Sequence, residues 1–295
     1  MLKTMAEEKL KLGIPTGSLQ KATVELFNKA GFNIVDSERS YIPRIDDDQI
    51  RLILLRAQEM SRYVEDGVLD AGITGYDWIM ENGSDIIEVC ELAYSKATSK
   101  PARWVLAVPD ESGVENVDDL AGGIVATELV NVTKKFFSDK NVDVKVEFSW
   151  GATEVKARLV DAIVELTETG SSLQANNLRI IDTVISSTTR FIANKQAWSD
   201  KFKREKIENI SILLNAAIEA RSKVGLKMNI KNKDLDSILK ILPAEKSPTI
   251  SSLADSEYVA IEVIIEGSIE RSLVPALKRA GASGIITYPL NKVIH

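Results

Sequence analysis

The sequence predicts an α/β protein in which two similar lobes form a cleft and a smaller domain follows them. Strand-length apolar segments alternate with helical patterns through roughly the first 185 residues, which is typical of mainly parallel sheets covered by helices. A long amphipathic helix is predicted at Lys201–Arg221. Beyond it the order becomes strand-helix-strand-strand-helix-strand, the ferredoxin-like βαββαβ plan.

The first lobe is predicted to alternate strands with helices. Its predicted strands are Lys9–Ile14, Ile53–Leu55, Leu69–Thr74 and Ile87–Ala93. Its predicted helices extend from the turn at Pro15–Ser18 to Ala30, from Ser61 to Asp66, and onward from Gly75. Gly31 and Gly67 directly follow two of these helices, as expected of residues that end a helix.

The second lobe repeats this alternation. Its predicted strands are Arg103–Pro109, Ile124–Thr127, Val144–Phe148 and Asp161–Leu166. Its predicted helices are Val130–Asp139 and Thr153–Leu159, and Thr183–Ala193 is expected to return to the first lobe as strands. Two α/β lobes with crossing connections resemble the periplasmic-binding-protein architecture, which holds a ligand in the cleft between its lobes.

The C-terminal segment is predicted to form a ferredoxin-like domain of about 75 residues. Its predicted strands are Val224–Asn229, Thr249–Leu253, Tyr258–Ile265 and Gly284–Tyr288, and its predicted helices are Lys233–Leu242 and Glu270–Ala280. We therefore expect three domains: residues 1–99 with a return segment 186–221, residues 100–185, and residues 222–295.

Composition excludes several classes of protein. The net charge is −6 and no basic stripe alternates with aromatic residues, so nucleic acid is not expected as a partner. The single cysteine, Cys90, lies in an apolar segment, so no internal disulfide is possible and a cytoplasmic location is expected. No apolar run reaches transmembrane length and the charged start of the chain does not resemble a signal peptide, so no membrane association is expected.

The histidine count restricts the chemistry. The only histidine is His295, the last residue, which excludes a Ser-His-Asp triad, a Cys-His dyad and a histidine-rich zinc site. Proton transfer is therefore left to carboxylates, lysines or water.

The most informative segment is Asp161–Leu178, with the sequence DAIVELTETGSSLQANNL. An apolar strand leads to Glu165, a hydroxyl-rich turn around Gly170 follows, and a helical pattern begins at Leu173. Such a turn points backbone N–H groups at an anion, and the helix dipole adds partial positive charge. Glu165 and Glu168 are acceptors suited to ribose hydroxyls. Both a sugar-phosphate site and an ordinary strand-to-helix turn capped by a serine fit this local pattern.

This segment resembles the phosphoribosyl-diphosphate loop of the ATP phosphoribosyltransferase family, which catalyses the first step of histidine biosynthesis. The family motif is acid-Leu-x-x-Thr-Gly-x-Thr/Ser-Leu, between a buried strand and an Ala-Asn-x-Leu run. The matching positions are Glu165, Leu166, Thr169, Gly170, Ser172, Leu173, Ala175, Asn176 and Leu178. The resemblance implies that phosphoribosyl diphosphate is bound by Glu165, Thr167, Glu168, Thr169, Gly170, Ser171, Ser172 and Leu173.

The resemblance extends over essentially the whole chain. Gly67–Asp77 resembles a first-lobe segment of the family, and Thr127–Asn131 and Gly151–Lys156 resemble two turns of its second lobe. Ser247–Asp255 and Ala280–Pro289 resemble the regulatory domain of the family's long form.

The resemblance also implies roles for three groups of residues. The catalytic acids would be Glu165, Glu128 and Glu154. ATP would contact Gly17, Ser18, Asp70, Thr74 and Gly75. Histidine, which inhibits long-form relatives, would contact Asn229, Thr249, Asp255, Ala282 and Gly284. Each residue also has a simpler explanation as part of a packing turn or as a solvated surface residue.

One departure from the family bears on ATP binding. The family's first turn is commonly Pro-Lys-Gly-Arg-Leu, whereas this chain has Pro15–Leu19, PTGSL, without the two positive charges. Arg44, Arg56 or Arg103 would have to replace them.

The implied reaction joins N1 of the adenine of ATP to C1 of phosphoribosyl diphosphate and releases diphosphate. The resemblance implies Mg²⁺ as the cofactor, with unknown ligands, and a homo-oligomer (dimer or hexamer) for which Ile261–Ile265 would supply a strand edge. The architecture also fits a non-catalytic small-molecule binding protein, a catalytically inactive regulatory paralogue, or a phosphoribosyltransferase that uses another base.

Overall fold

The computed structural model describes residues 9–35, 41–94, 101–243 and 248–294. The chain divides into two compact units, residues 1–211 and 212–295. Most of the charged N-terminal segment, and Ser247 of the long-form resemblance, lie outside the described residues. None of the helices in the described ranges combines the length and apolar character that a membrane crossing requires.

The first part of the chain forms most of lobe I, a sheet with its covering helices. Its strands are β1 (Leu10–Pro15), β2 (Ile34–Val35), β3 (Arg44–Ile45), β4 (Ile50–Leu55), β5 (Ala71–Gly75) and β6 (Ile87–Leu92). Its helices are α1 (Gln20–Ala30), α2 (Ala57–Glu65) and α3 (Tyr76–Asn82). β1 lies parallel to both β4 and β5, with Leu12 opposite Leu52 on one side and Ala71 on the other. These three residues are almost fully buried, so the lobe's core lies at the centre of the sheet.

The next part of the chain forms lobe II. Its strands are β7 (Ala102–Pro109), β8 (Ile124–Thr127), β9 (Lys145–Phe148), β10 (Ala162–Thr167) and β11 (Leu178–Ser187), in the order β11-β7-β10-β8-β9. Its helices are α4 (Val130–Asp139), α5 (Thr153–Lys156) and α6 (Ser171–Ala175). β8 is parallel to β9 and β10, whereas β7 is antiparallel to β10 and β11, so the sheet is mixed.

The helix predicted at Thr153–Leu159 is wrong in length, because α5 is a single turn. Val155 and Leu159, which a longer amphipathic helix would bury, are 67% and 81% exposed. Over Thr153–Leu159 the buried side chains are the small ones of Thr153 and Ala157, so a longer helix would gain little from packing.

The return to the first lobe predicted for Thr183–Ala193 is found only in its second half, because Thr183–Ser187 belongs to β11 of lobe II. β11 ends in lobe II at Ser187 and strand β12 (Thr189–Ala193) begins in lobe I, so only Thr188 separates the two sheets. β12 lies between β5 and β6, antiparallel to both, and gives lobe I the order β4-β1-β5-β12-β6. The sheet of lobe I is therefore mixed, where the alternation of elements predicts a mainly parallel one.

Two helices follow β12: α7 (Lys195–Ser199) and the long α8 (Lys201–Glu219). Within the first unit, α8 is attached to lobe I by two partly buried ion pairs. Lys203 Nζ lies 3.1 Å from Asp70 Oδ1, and Lys206 Nζ lies 2.9 Å from Asp47 Oδ2.

The C-terminal unit has the predicted βαββαβ order. It contains β13 (Lys223–Lys231), α9 (Leu235–Ile241), β14 (Thr249–Ser252), β15 (Tyr258–Glu266), α10 (Gly267–Arg279) and β16 (Ser283–Pro289), with the sheet order β14-β15-β13-β16. Along β13, Leu226, Met228 and Ile230 are buried, whereas Lys227 and Asn229 between them are exposed. This alternation places the helices on one face of the sheet and leaves an open face with polar residues. The edge predicted at Ile261–Ile265 is wrong at Ile261 and Glu262, which pair with β14, whereas among the described strands only β13 pairs with Val263–Ile265.

Candidate active site

The turn after β10 has the geometry of an anion-binding loop. The Thr167 hydroxyl accepts a hydrogen bond from the Gly170 N–H at 2.7 Å, which closes the turn from inside. Gly170 has φ 80, a left-handed conformation that favours glycine, and α6 begins at the next residue. Leu173 is 1% exposed and anchors α6 to the core of lobe II, so the turn is held from both ends.

The hydroxyls of this turn lie on its outer side. Thr169, Ser171 and Ser172 are exposed, and the Thr169 and Ser171 hydroxyls are hydrogen-bonded to each other at 2.9 Å. The Ser172 hydroxyl donates to Glu154 Oε1 at 2.7 Å. The turn therefore presents hydroxyl groups, rather than apolar side chains, at the start of a helix.

Three of the predicted acids meet beside this turn. Glu165 on β10 is only half-buried, yet burial raises the pKa of its carboxyl above the usual range. A hydrogen bond from Thr153 opposes that rise in pKa, while the charges of Glu154 and Glu128 add to it. The structure thus brings Glu128, Glu154 and Glu165 into one electrostatic group. The role of Thr153 was missed, because nothing in the sequence marks that residue as facing Glu165.

The topology explains why these residues meet. β8 and β10 are parallel neighbours, with Val125 opposite Ala162, so their C-terminal ends lie at the same edge of the sheet. Glu128 follows β8 and the Thr167–Leu173 turn follows β10. Ligands of open α/β sheets bind at this edge.

A metal ion would find suitable donor chemistry here but no complete set of ligands. Carboxylate oxygens are the ligands that Mg²⁺ prefers, and the site has three of them. Within the described ranges, no group of three acidic, histidine or cysteine side chains is spaced to hold a metal ion. The residues therefore fit Mg²⁺ bound chiefly by substrate phosphates and water, with one or two carboxylates.

Arg103 adds a positive charge close to the turn. It lies on β7 directly opposite Thr167, and directly opposite residues of an antiparallel pair have their side chains on the same face. Glu165 is two residues from Thr167 and shares that face.

In lobe I, two of the predicted ATP contacts are accessible. Gly17 has φ 79, and a Cβ built on it would meet no atom within 4 Å. Gly17 and Ser18 are both exposed at the end of β1. The Thr16 N–H donates to the Leu55 carbonyl at 2.8 Å, which places Arg56 beside this turn. Arg56 is exposed, so a basic side chain lies next to this turn, which lacks the lysine and arginine common in the family.

Three other predicted ATP contacts are buried in structural roles. The Thr74 hydroxyl donates to the Ala57 carbonyl at 2.7 Å. A Cβ on Gly75 would lie 2.0 Å from Asp77 Oδ1, so internal packing alone requires glycine there. Asp70 precedes β5 and pairs with Lys203, roughly 16 Å from the C-terminal end of the strand.

Asp77 joins the two lobes, a role the sequence did not reveal. Its carboxylate accepts hydrogen bonds from the Trp104 indole N–H of lobe II at 2.6 Å and from the Trp78 N–H at 3.0 Å. Its own N–H donates to the Ser187 hydroxyl at 3.1 Å, beside the connection between the sheets. Burial raises the pKa of Asp77, and the hydrogen bonds from Trp104, Ser187 and Trp78 oppose that rise.

The predicted histidine contacts separate into groups in the C-terminal unit. The Asn229 side chain lies 3.4 Å from a Cβ built on Gly284, which has φ 56. Thr249 is on β14, separated from β13 by β15, roughly 12 Å from Asn229 by ordinary sheet spacing. Asp255 accepts a hydrogen bond from the Glu257 N–H within its own turn, and Ala282 is 1% exposed in the core.

Two mixed α/β lobes, with a hydroxyl-rich turn and a group of carboxylates at one sheet edge, define the class of two-lobed α/β proteins that hold small ligands at such an edge. Comparison with known proteins identifies the family within that class. The model of the HisG ATP phosphoribosyltransferase family matches residues 56–216, and that of the HisG C-terminal domain matches residues 220–292. The chain belongs to the ATP phosphoribosyltransferase family, in its long form.

Individual relatives agree with this assignment. The ATP phosphoribosyltransferase of Chlorobium chlorochromatii is 57% identical over 286 residues, 97% of each chain. That of Pelotomaculum thermopropionicum is 55% identical over 287 residues, 97% of this chain and 99% of the relative. The activity is therefore a pentosyl transfer in the first step of histidine biosynthesis, and the alternative of a non-catalytic binding protein is not favoured.

Solved structures support the fold. The ATP phosphoribosyltransferase (HisG:HisZ) complex from Thermotoga maritima aligns with a TM-score of 0.61 and 29% identity, covering 72% of this chain and 99% of that one. A putative L-cystine ABC transporter protein from Listeria monocytogenes aligns with a TM-score of 0.50 and 12% identity, covering 72% of this chain and 91% of that one. The second match reflects the shared two-lobed fold alone.

Proposed function

We propose that phosphoribosyl diphosphate binds at the C-terminal edge of the lobe II sheet. The Thr167–Leu173 turn would bind the 5′-phosphate through backbone N–H groups and hydroxyls, while Glu165 and Glu168 accept hydrogen bonds from the ribose hydroxyls. One observation carries this proposal: the exposed hydroxyls of Thr169 and Ser171 lie at the same sheet edge as the half-buried Glu165.

The proposed chemistry needs little covalent help from the protein. The adenine N1 lone pair forms the new bond to C1 of the ribose while the C1–O bond breaks, and that bond pair leaves with diphosphate. Positive charge develops on the sugar, so the main tasks are positioning and charge stabilisation. Glu165 would stabilise that charge, Glu154 would orient Ser172, and Glu128 would face the acceptor base.

Positive charge for the phosphates is proposed to come from both lobes. Arg103 faces the side of the Thr167 turn, where the diphosphate would leave. Arg56 would contact the triphosphate of ATP beside Gly17 and Ser18. Mg²⁺, bound mainly by phosphate oxygens, would neutralise the diphosphate as its charge increases.

For ATP we retain Gly17 and Ser18 as proposed contacts. Thr74, Gly75 and Asp70 have internal partners, so their part in ATP binding would be indirect, through the position of the turn after β5.

The C-terminal unit is proposed to bind histidine and to mediate assembly. Asn229 and Gly284 would form one part of the histidine site, with Ala282 beneath it. Thr249 lies on β14 and Asp255 in the turn before β15, and a second copy of the domain would bring such separated groups onto one ligand. The open face also has the exposed side chains of Ile264 and Ile286, 49% and 58% accessible, which suit burial between copies in a dimer or hexamer.

Feedback inhibition would then follow from a difference in histidine affinity between two states of the enzyme. A cytoplasmic location remains our prediction, in keeping with a biosynthetic enzyme whose substrates are phosphorylated.

The first test mixes the purified protein with ATP, phosphoribosyl diphosphate and Mg²⁺, with pyrophosphatase present to remove the product diphosphate. Formation of N1-substituted adenine is followed by near-ultraviolet absorbance, and histidine is then added. We expect an increase in absorbance that histidine suppresses.

Each outcome tests a different part of the proposal. An increase that histidine does not affect would retain the sites in lobes I and II and refute the regulatory role. No increase, despite measurable binding of phosphoribosyl diphosphate, would refute ATP as the acceptor.

A further inference from the structure

Helix α3 belongs to lobe I by its position in the chain, yet one side of it is embedded in lobe II. Trp78 packs against the hydrophobic core of lobe II, with its ring edge-on to Trp104 at 5.9 Å between centroids. Asp77 binds the same Trp104 through its indole N–H. The beginning of α3 is therefore fixed to lobe II next to the connection between the sheets.

The end of α3 makes a second, polar connection to lobe II. Glu81 Oε1 accepts a hydrogen bond from the Asn131 N–H, and Glu81 Oε2 accepts one from the Val132 N–H, both at 3.0 Å. The Asn131 amide also donates to the Glu81 carbonyl at 2.9 Å. All these bonds join α3 of lobe I to the first turn of α4 of lobe II.

α4 needs this external partner. The first N–H groups of a helix have no acceptor within the helix, and a side-chain oxygen usually caps them. The N-cap position of α4 is occupied by Leu129, whose apolar side chain makes no capping hydrogen bond. Glu81 supplies the missing cap from the other lobe, and its negative charge also suits the positive end of the helix dipole.

The capped turn is part of the active-site edge. Glu128 lies three residues before Asn131, in the same connection between β8 and α4. On its other side Glu128 Oε1 lies 3.5 Å from a Cβ built on Gly151, in the turn that precedes Glu154. A displacement of the first turn of α4 would therefore move Glu128 with respect to lobe I.

We propose that Glu81 is a positioning residue. It caps α4 from lobe I and so fixes the position of Glu128 relative to the proposed ATP contacts of lobe I, Gly17 and Ser18. The inference rests on the function proposed above, in which lobe II alone binds phosphoribosyl diphosphate and both lobes bind ATP. Removal of the cap then weakens the use of ATP and leaves the affinity for phosphoribosyl diphosphate unchanged.

The test compares Glu81→Ala and Glu81→Gln with a matched control, Glu65→Gln. Glu65 also accepts a backbone hydrogen bond, from the Asp85 N–H at 3.0 Å, but both residues lie in lobe I. We expect Glu81→Ala to raise the KM for ATP about tenfold and to lower kcat, since two charge-assisted hydrogen bonds are lost. Glu81→Gln should fall between Glu81→Ala and wild type, because the amide retains one acceptor oxygen.

Two measurements separate positioning from general damage. The Kd of phosphoribosyl diphosphate, measured by calorimetry without ATP, should change less than about twofold. Amide hydrogen exchange of a peptide spanning residues 130–133 should become faster in Glu81→Ala and stay at the wild-type rate in Glu65→Gln. Equal loss of affinity for both substrates would overturn the proposal, as would unchanged exchange in this peptide.

The exchange measurement also separates this inference from the proposed function. If Thr169→Ala left the binding of phosphoribosyl diphosphate unchanged, the proposed sugar-phosphate site would fail. The capping role of Glu81 would still be tested by the amide exchange rates of Asn131 and Val132, because that measurement requires no substrate.

Discussion

The turns around Gly75 and Gly170 have the same plan, a buried strand followed by a glycine and a helix, yet they differ in what occupies the helix start. After Gly75, the Asp77 carboxylate folds back on the turn and accepts the Trp78 N–H at 3.0 Å. After Gly170 the first helical N–H, that of Ser171, is instead accepted by the neutral Thr169 hydroxyl at 3.4 Å, and Thr169 and Ser171 are both exposed. The first turn is closed by the protein's own anion, whereas the second has only neutral hydroxyls at its helix start, as the proposed phosphate site requires.

The difference shows that a glycine turn before a helix does not by itself indicate a ligand site. Such a turn needs an anion or a cap, and the protein can provide it internally. In lobe I the internal anion also connects the lobes through Trp104, so the glycine is needed for packing. In lobe II the turn is stabilised from its buried side, by the hydrogen bond from the Gly170 N–H to the Thr167 hydroxyl. The outer side of the turn stays exposed.

The largest expected effect is on catalysis, from removal of the groups that make the lobe II turn a site. Glu165→Ala combined with Thr169→Ala should lower kcat/KM for phosphoribosyl diphosphate about 100-fold or more, because each charge-assisted hydrogen bond contributes about 1.5–3 kcal/mol. The control is Glu147→Ala, whose ion pair with Lys145 is largely solvated and which should behave as wild type. Turnover near the wild-type rate in the double variant would show that the site is misassigned.

A second prediction contrasts the two glycines directly. Gly75→Ala places a Cβ 2.0 Å from Asp77 Oδ1 and should displace that carboxylate, at a cost of about 2–4 kcal/mol in the free energy of unfolding. In Gly170→Ala the nearest atom to the new Cβ is in the Ile180 side chain, 3.7 Å away, so no clash arises. The positive φ alone should cost about 1–2 kcal/mol in the free energy of unfolding. Urea unfolding of both variants measures the difference, and equal destabilisation would mean that the Asp77 contact adds nothing.

A third prediction separates the positive charges of the two lobes. Arg56→Met should raise the KM for ATP about tenfold, and Arg103→Met should raise the Kd of phosphoribosyl diphosphate by a similar factor. Each variant should affect the other substrate much less, because the two arginines lie beside different turns. Steady-state kinetics with one substrate saturating, together with calorimetry, measure both values. If one variant weakened the binding of both substrates equally, its arginine would contact both substrates.

The smallest expected effect is on stability. Because burial and neighbouring acids raise the pKa of Glu165 in the folded state, its ionisation destabilises the fold. That penalty is absent below the unfolded pKa, near 4.5, and complete once the pH exceeds the folded pKa. Glu165→Gln should therefore raise Tm at pH 7.5, by about 2–4 °C for each kcal/mol regained in a unit of this size.

The comparison of Tm values at two pH values checks the sign of this effect. The gain in Glu165→Gln should disappear near pH 4, where the wild-type carboxyl is protonated in both states. Glu147→Gln on the exposed β9 edge serves as the control and should show no such dependence. A gain that persisted at pH 4 would mean that the substitution acts through packing rather than charge.

The sequence predicted local features well and contacts between distant residues poorly. The strand–turn–helix at Glu165–Leu173 and the βαββαβ order follow from periodicity and turn residues within short windows. Asp77, Trp104 and Glu81 act through partners 27 and 50 residues away, and no local pattern indicates such a partner. The sheet of lobe I was predicted as mainly parallel because the direction of β12 depends on a crossing connection, which periodicity does not reveal.

The four tryptophans of the chain occupy very different environments. Trp104 is 3% exposed between the lobes with Trp78 against it, whereas Trp150 is 91% exposed beside Phe148, one residue before Gly151. A soluble quencher such as acrylamide should therefore reach Trp150 far more readily than Trp104, with the half-buried Trp198 on α7 between these extremes. The fluorescence that acrylamide does not quench would report on the contact between the lobes at Trp104. The readily quenched fluorescence of Trp150 would report on the turn beside Glu128 as ligands bind.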